Sequence, residues 1–223
     1  MLLLKTTWLE PGGKVLSNAF TFGAVPSAIE NANDKAVYVV ESDCELVMDV
    51  GDLELKLKEN SDCKHVLISH MRGKLADMDA VKNLCDKNDA VLLEALGVFW
   101  QGEHSGHRGV ACAISSQSYK MINSGEGRFL LTDDPEIAAQ TAVIADAYEG
   151  LSVKHTTLPP LEYFEGKSVE QTNYSIRMSN LAATIIRPQI KTLDECIEKY
   201  NIRYNMVVYK LQSRVGDHLV FPR

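Results

Sequence analysis

Residues 65–93 read HVLISHMRGKLADMDAVKNLCDKNDAVLL, and the hydrophobic period changes twice within them. His65 to Ser69 and Ala90 to Leu93 are short apolar runs bounded by polar residues, the pattern of buried strands. Between them Met78, Val81, Leu84 and Cys85 recur on one face of a helix, and Asp77 stands where an N-cap side chain is needed. A strand, a capped helix and a second strand make a crossover unit, the connection that parallel strands require. The alternation extends in both directions. Further strands are predicted at Lys14 to Leu16, Ala36 to Val40, Val110 to Ile114 and Arg128 to Thr132, and further helices at Val25 to Asn33, Gly51 to Glu59 and Pro135 to Glu149. The last helix opens on Asp133-Asp134-Pro135-Glu136, with acids and a proline in its first turn. Elements in this order predict a layered α/β domain with a largely parallel sheet.

Beyond Thr156 the pattern breaks. Pro159-Pro160, Tyr163, Phe164 and Gly166 read as a connecting loop with exposed aromatics. Met178, Leu181, Ile185, Ile186, Ile190, Leu193, Ile197 and Tyr200 then recur at helical spacing, predicting one long amphipathic helix kinked at Pro188.

Composition narrows the function classes. The chain has 223 residues, 45% hydrophobic and 24% charged, enough to bury a sizeable core. A net charge of -7 and a pI near 5.4, with no basic stripe, argue against nucleic acid as the main partner. The five cysteines, Cys44, Cys63, Cys85, Cys112 and Cys196, form no CxxC and are odd in number, as expected in a reducing cytoplasm. No apolar run approaches the roughly 20 residues of a membrane span. His104 and His107 could pair on a metal but lack a third ligand, and Phe99 and Trp100 read as packing residues.

The stretch ACAISSQSYKMINSGEGRF, Ala111 to Phe129, carries the chemistry. Lys120 sits in a polar loop between an apolar strand and a Gly-Glu-Gly turn, the placement of a lysine that attacks an aldehyde. A solvated loop lysine has the same local sequence. Its neighbours decide between the two. Pro11-Gly12-Gly13-Lys14-Val15 precedes Phe20-Thr21-Phe22, and His70-Met71-Arg72-Gly73 precedes Ala76-Asp77-Met78-Asp79-Ala80. Gly97, Gly102, Gly106 and Gly109 form a glycine loop, Ser115 and Lys120 lie five apart, and Gly125-Glu126-Gly127 and Arg177-Met178-Ser179 follow. In this order and near this spacing, these motifs make the chain resemble the DegT/DnrJ/EryC1/StrS family of pyridoxal-phosphate sugar aminotransferases over nearly its whole length.

The resemblance implies the large domain of an aspartate aminotransferase-like, fold type I enzyme: an α/β, three-layer, mostly parallel sheet that lacks most of the small C-terminal domain. Residues 1–165 would form the cofactor-binding core, and residues 166–223 a connecting segment and long helix. It implies pyridoxal 5'-phosphate as cofactor, Lys120 as the amine that bonds to it, Ser115 as a hydrogen-bond donor to its phosphate, and Phe22 against its ring. The activity implied is transfer of an amino group from glutamate or glutamine to a keto-sugar nucleotide.

Several departures bear on that activity. After Glu94 the family's strand carries four more residues, among them the Asp expected to pair with the pyridine nitrogen; Glu94 either takes that role or is a solvated or capped carboxylate. The family asparagine that reaches the other subunit's cofactor aligns with Ser175, with Asn173 two positions away, and Arg128 replaces a glycine. The chain begins where the family's phosphate-cradling turn ends, and stops where its small domain begins. Leu2, Leu3, Leu4 and Trp8 are therefore expected to form an exposed apolar patch. The expected assembly is a homodimer through the long helix, or a pairing with a complementary chain. The alternative to an active enzyme is a degenerate paralogue that keeps the fold and serves as a binding or regulatory subunit.

Overall fold

The N-terminal caps fall where the sequence places them. Asp77 accepts a hydrogen bond from the Ala80 amide at 3.0 Å, and Asp134 accepts from the Glu136 and Ile137 amides at 2.8 and 3.3 Å. Each satisfies amide groups that a first helical turn leaves without partners. The structure, a computed structural model, describes residues 2–7, 13–33, 37–96, 106–145, 157–167, 172–216 and 221. Trp8, Phe99, Trp100, Gly97, Gly102, His104 and the side chains of Leu2 and Leu3 lie outside that set.

The elements run α1 (Leu2–Lys5), β1 (Val15–Asn18), α2 (Ala24–Asn33), β2 (Val37–Val40), α3 (Val50–Glu59), β3 (His65–His70), α4 (Met78–Lys87), β4 (Val91–Leu96), β5 (Ala111–Ser115), β6 (Arg128–Leu131), α5 (Pro135–Ala145), α6 (Asn180–Ile190) and α7 (Leu193–Val215). Short 3-10 turns stand at Met71–Gly73 and Leu161–Phe164. The six strands form one sheet in the order β2-β1-β3-β4-β5-β6. All pairings are parallel except β5 with β6.

Strand alternation sends successive side chains to two different layers. Leu16, Val66, Ile68 and Leu92 face Leu53 and Leu57 of α3 and Met78, Val81 and Cys85 of α4. Val15, Leu67, Leu93 and Ala111 face Leu4, Ile29 and Ala32 of α2, and Ile137 of α5. Both sheet faces are covered, as an all-parallel core requires, and each fully buried Leu or Ile contributes about 1.5–3 kcal/mol.

The structure corrects four expectations. Leu4 belongs to the core at 1% exposure and to no exposed patch, because α1 packs against α2 and α5. Tyr163 and Phe164 are half-buried, held in the 3-10 turn that contacts α5. The long helix is two helices. Ser179 caps α6 through a 3.1 Å bond to the Ala182 amide, which leaves Met178 outside the helix. Pro188 lies inside α6 and does not end it; the break comes at Lys191 and Thr192, where amides bond three residues back to Pro188 and Gln189. That tightening closes α6 before α7 begins. In keeping with the amphipathic pattern, α6 and α7 bury only Ala182, Ile186 and Ile197, and leave most of their apolar side chains in solvent.

Candidate active site at the carboxyl edge of the sheet

The first five strands are parallel, so their carboxyl ends share one edge. Chain order reverses there: β1 leads outward to β2, and β3 returns on the other side of β1. Strands diverge at such a point and open a crevice for ligands. Asn18, at the end of β1, bridges the gap. Its Oδ1 accepts from the Ser69 amide at 2.8 Å, and its Nδ2 donates to the Ser69 and Phe20 carbonyls at 3.1 and 2.8 Å. The side chain thus replaces a ladder rung that the diverging backbones no longer supply. Phe22 follows with its ring 62% exposed, and the Thr21 hydroxyl is buried with no hydrogen-bond partner among the described residues.

At the ends of β3 and β4, His70 and Glu94 form a buried pair. Their side chains are each 1% exposed, and His70 Nε2 lies 2.9 Å from Glu94 Oε2. Glu94 also accepts from three backbone amides: Gly109 at 2.7 Å and Arg108 at 2.9 Å on Oε1, and Gly106 at 3.2 Å on Oε2. Burial alone would raise the carboxyl pKa, but the hydrogen bonds from His70, Gly109 and Arg108 outweigh it and hold the group below its ordinary value. The carboxylate therefore stays ionised while it fastens the loop that feeds β5. The carboxylate is capped by these donors. Gly109 fits because a Cβ there would meet the Leu92 carbonyl oxygen at 2.7 Å.

Lys120 stands near the tip of a hairpin. β5 and β6 pair antiparallel through Ser115 and Arg128, and the ladder continues beyond them: the Ser116 amide bonds to the Gly127 carbonyl at 3.0 Å, and the Ser118 amide to the Gly125 carbonyl at 3.2 Å. The Lys120 amide closes a turn onto the Gln117 carbonyl at 3.1 Å. Tyr119 before it takes a left-handed φ of 72° and is fully exposed, while Ile122 after it is buried at 2% and anchors the tip. Lys120 itself is half-buried, and its ammonium meets no carboxylate among the described residues. Ser115, also half-buried, accepts from the Gln117 amide at 3.4 Å, which leaves the hydroxyl proton uncommitted.

Two contacts tie the C-terminal segment to this hairpin. A Cβ on Gly127 would lie 3.1 Å from the Met178 methyl, so Met178 packs on the hairpin base. Gln189 of α6 bonds to Asn123: its Oε1 accepts from the Asn123 amide at 3.0 Å and its Nε2 donates to the Asn123 carbonyl at 2.7 Å. Ser175 and Asn173 are exposed and joined to one another in a turn, the Ser175 amide donating to Asn173 Oδ1 at 2.8 Å. The same segment covers the end of α5, where the Tyr174 and Ile176 amides bond to the Ile144 and Ala145 carbonyls. Cys112, in register with Glu94 on the next strand, is buried, and desolvation raises its thiol pKa; Cys85 is pushed up to about 12 for the same reason. Neither thiol is a nucleophile at neutral pH.

Sequence reading did not single out Asn18 or Gln189. An asparagine at the end of a strand is a weak signal, and the partner of Gln189 lies 66 residues away. His70 follows the strand predicted at His65 to Ser69 and is the last residue of β3; its pairing with Glu94 is visible only when β3 and β4 are adjacent.

The DegT/DnrJ/EryC1/StrS aminotransferase family model matches residues 1–220. The chain is 26% identical over 227 aligned residues to a pleiotropic regulatory protein of Geobacillus stearothermophilus, covering 100% of this chain and 57% of that protein. It is 24% identical to GDP-perosamine synthase of Caulobacter vibrioides, covering 99% of this chain and 57% of the other. Among solved structures, 3-amino-5-hydroxybenzoic acid synthase superposes with a TM-score of 0.79 at 21% identity, over 96% of this chain and 54% of that one. The sugar aminotransferase CalS13 of Micromonospora echinospora gives 0.74 at 17% identity, over 97% and 58%. This chain spans about half the length of the relatives it matches. The parallel sheet, its antiparallel last strand and the motifs along its carboxyl edge agree with these matches: the chain belongs to the DegT/DnrJ/EryC1/StrS aminotransferase family.

Proposed function

We propose that this chain carries the cofactor-holding part of a pyridoxal phosphate-dependent aminotransferase that acts on a keto-sugar nucleotide. The carrying observation is Lys120: an amine without a carboxylate partner among the described residues, on a hairpin braced by Gln189 and Met178, at the edge where the sheet opens. What each side chain has left to give tests the fit. The Lys120 amine, the Ser115 hydroxyl proton and the exposed Phe22 ring are uncommitted and suit an aldehyde, a phosphate and a pyridine face. The unpartnered Thr21 hydroxyl beside Phe22 is a further polar group that the protein does not satisfy.

Bound there, the cofactor would supply an electron sink and the aldehyde that carries the amino group between substrates. Lys120 would hold the cofactor through its amine and then move the proton on and off the substrate carbon. Ser115 would donate to the phosphate, and Phe22 would fix the plane of the ring. Ser175 and Asn173 are exposed and would reach outward, toward a second copy's site. Residues 1–165 would hold the cofactor, and residues 166–223 would lead to the half that closes on substrate. Relatives named GDP-perosamine synthase and UDP-4-amino-4-deoxy-L-arabinose–oxoglutarate aminotransferase support a nucleotide sugar as acceptor, and the oxoglutarate in the second name and the L-glutamine in that of L-glutamine:2-deoxy-scyllo-inosose aminotransferase support glutamate or glutamine as donor. The five free cysteines favour a cytoplasmic setting.

One observation favours a second reading. Glu94 spends both oxygens inside the protein, so it has no oxygen left for a pyridine nitrogen. A regulatory or binding subunit needs no such acid. Purified chain mixed with pyridoxal phosphate separates the readings. The enzyme reading expects a near-visible absorbance band that borohydride abolishes, leaving a mass label on Lys120, and loss of both in Lys120→Ala. A chain that develops no band, alone or with a complementary chain, is a binding subunit.

A further inference from the structure

We infer that Gln189 is the positioning residue for Lys120: from α6 it holds the backbone of Asn123 from both sides, and Asn123 in turn holds the Lys120 carbonyl. This rests on the reading of Lys120 as the cofactor amine. Ladder pairing in the hairpin ends at Ser118 and Gly125. Past that rung the tip has few bonds to define it. The Lys120 amide meets Gln117 within the tip itself, and Asn123 Nδ2 donates to the Lys120 carbonyl at 3.2 Å. Ile122 supplies the apolar anchor. Among the described residues, Gln189 is the hydrogen-bonded tie from this tip to another element, reaching Asn123 across 66 residues of sequence.

Its amide has a single satisfiable orientation. Oε1 accepts from the Asn123 amide at 3.0 Å, while Nε2 donates to the Asn123 carbonyl at 2.7 Å and to the Ile185 carbonyl, one turn back on its own helix, at 2.8 Å. A flipped amide would set its oxygen against two carbonyls and its NH2 against an N–H. The side chain is therefore fixed to α6 at one end and to the hairpin tip at the other, and works as a strut. Proline precedes it. Pro188 cannot donate to the Thr184 carbonyl, so the helix backbone is already irregular where the strut attaches.

Such a strut stabilises the fold little, because its bonds lie at the surface. Its effect falls on where the amine points, and displacement of a reacting group by about 1 Å can cost on the order of 100-fold in rate. The test is reductive labelling: the full chain is incubated with pyridoxal phosphate and borohydride, and label on Lys120 is followed against exposed Lys210 by mass spectrometry. Gln189→Met keeps the length of the side chain and removes every bond; Asn123→Ala removes the link to Lys120 and leaves the Gln189 pairing. We expect each to slow labelling of Lys120 about tenfold or more, with Lys210 and the thermal melt unchanged. The two links act in series, so the double variant should be no slower than the worse single one.

Labelling of Lys120 in Gln189→Met at the wild-type rate overturns the inference alone, as does a double variant whose slowing is the product of the singles. Equal labelling of Lys120 and Lys210 in the wild type overturns the cofactor reading and the inference with it.

Discussion

Glu94 gathers three backbone amides and His70 around one carboxylate at the carboxyl edge. A buried carboxylate is costly unless donors surround it, and here three amides and His70 do so. Replacing it with Gln leaves one oxygen for those donors and points an NH2 group at another amide and at His70. Glu94→Gln should destabilise the fold by about 2–4 kcal/mol, read as a lower urea midpoint at pH 7. The pH dependence follows from the direction of the pKa shift. Folding depresses the carboxyl pKa below its ordinary 4.5, so the stabilisation is complete above that value and is lost as pH falls through the folded one. The wild type should lose this contribution between pH 5 and the acid limit, and Glu94→Gln should lack it; parallel acid titrations of the two would disprove the assignment. At this scale the sequence was informative where chemistry is local. Lys120 and Ser115 stand out through their spacing and through the order of motifs around them. Glu94 is ambiguous in sequence because its donors come from a loop 12 to 15 residues away, and loop closure is not written in any short window.

The β5–β6 hairpin is the element that turns sequence into a candidate site. Its strands, like the other four, were legible from short apolar runs between breakers. Their antiparallel pairing was not, since the run at Arg128 to Leu131 alternates no differently in either direction. Gly127 shows why the Gly-Glu-Gly turn has the composition it does. It takes a φ of +108°, and a Cβ there would sit 2.7 Å from the Ser116 hydroxyl and 3.1 Å from the Met178 methyl. Gly127→Ala should cost about 1–3 kcal/mol from the backbone conformation, with the Met178 contact disturbed as well. Gly125, also at positive φ, has open space around a Cβ, and Gly125→Ala should cost only the conformational part. Equal urea midpoints for the two alanine variants would show that Met178 does not pack on the hairpin. The helix expectation failed for a related reason. The apolar period runs through the sequence from Met178 to Tyr200 without interruption, while the backbone breaks at Lys191 and Thr192. A period cannot reveal a break that preserves it.

At the scale of the molecule, the sheet and its two helix layers account for nearly all of the buried apolar residues, and α6 and α7 are left over. Leu181, Ile185 and Ile190 on α6 and Ile202, Met206 and Tyr209 on α7 are each more than 40% exposed. Contiguous apolar surface of more than a few hundred Å² is uncommon on monomers and marks an interface. The apolar period in the sequence marks these helices as amphipathic, and the exposed side chains agree with that; the helix break leaves no trace in the period. Self-association through these helices is the expected consequence, with a twofold arrangement bringing the same face of two copies together. Because the side chains are exposed, Ile202→Lys with Tyr209→Lys should leave the melting of an isolated chain within about 0.5 kcal/mol of wild type. The same pair should shift sedimentation velocity toward the monomer by placing ammonium groups in the contact. A wild type that sediments as a monomer at every concentration, or a lysine variant that associates as strongly as the wild type, would remove α7 from the interface.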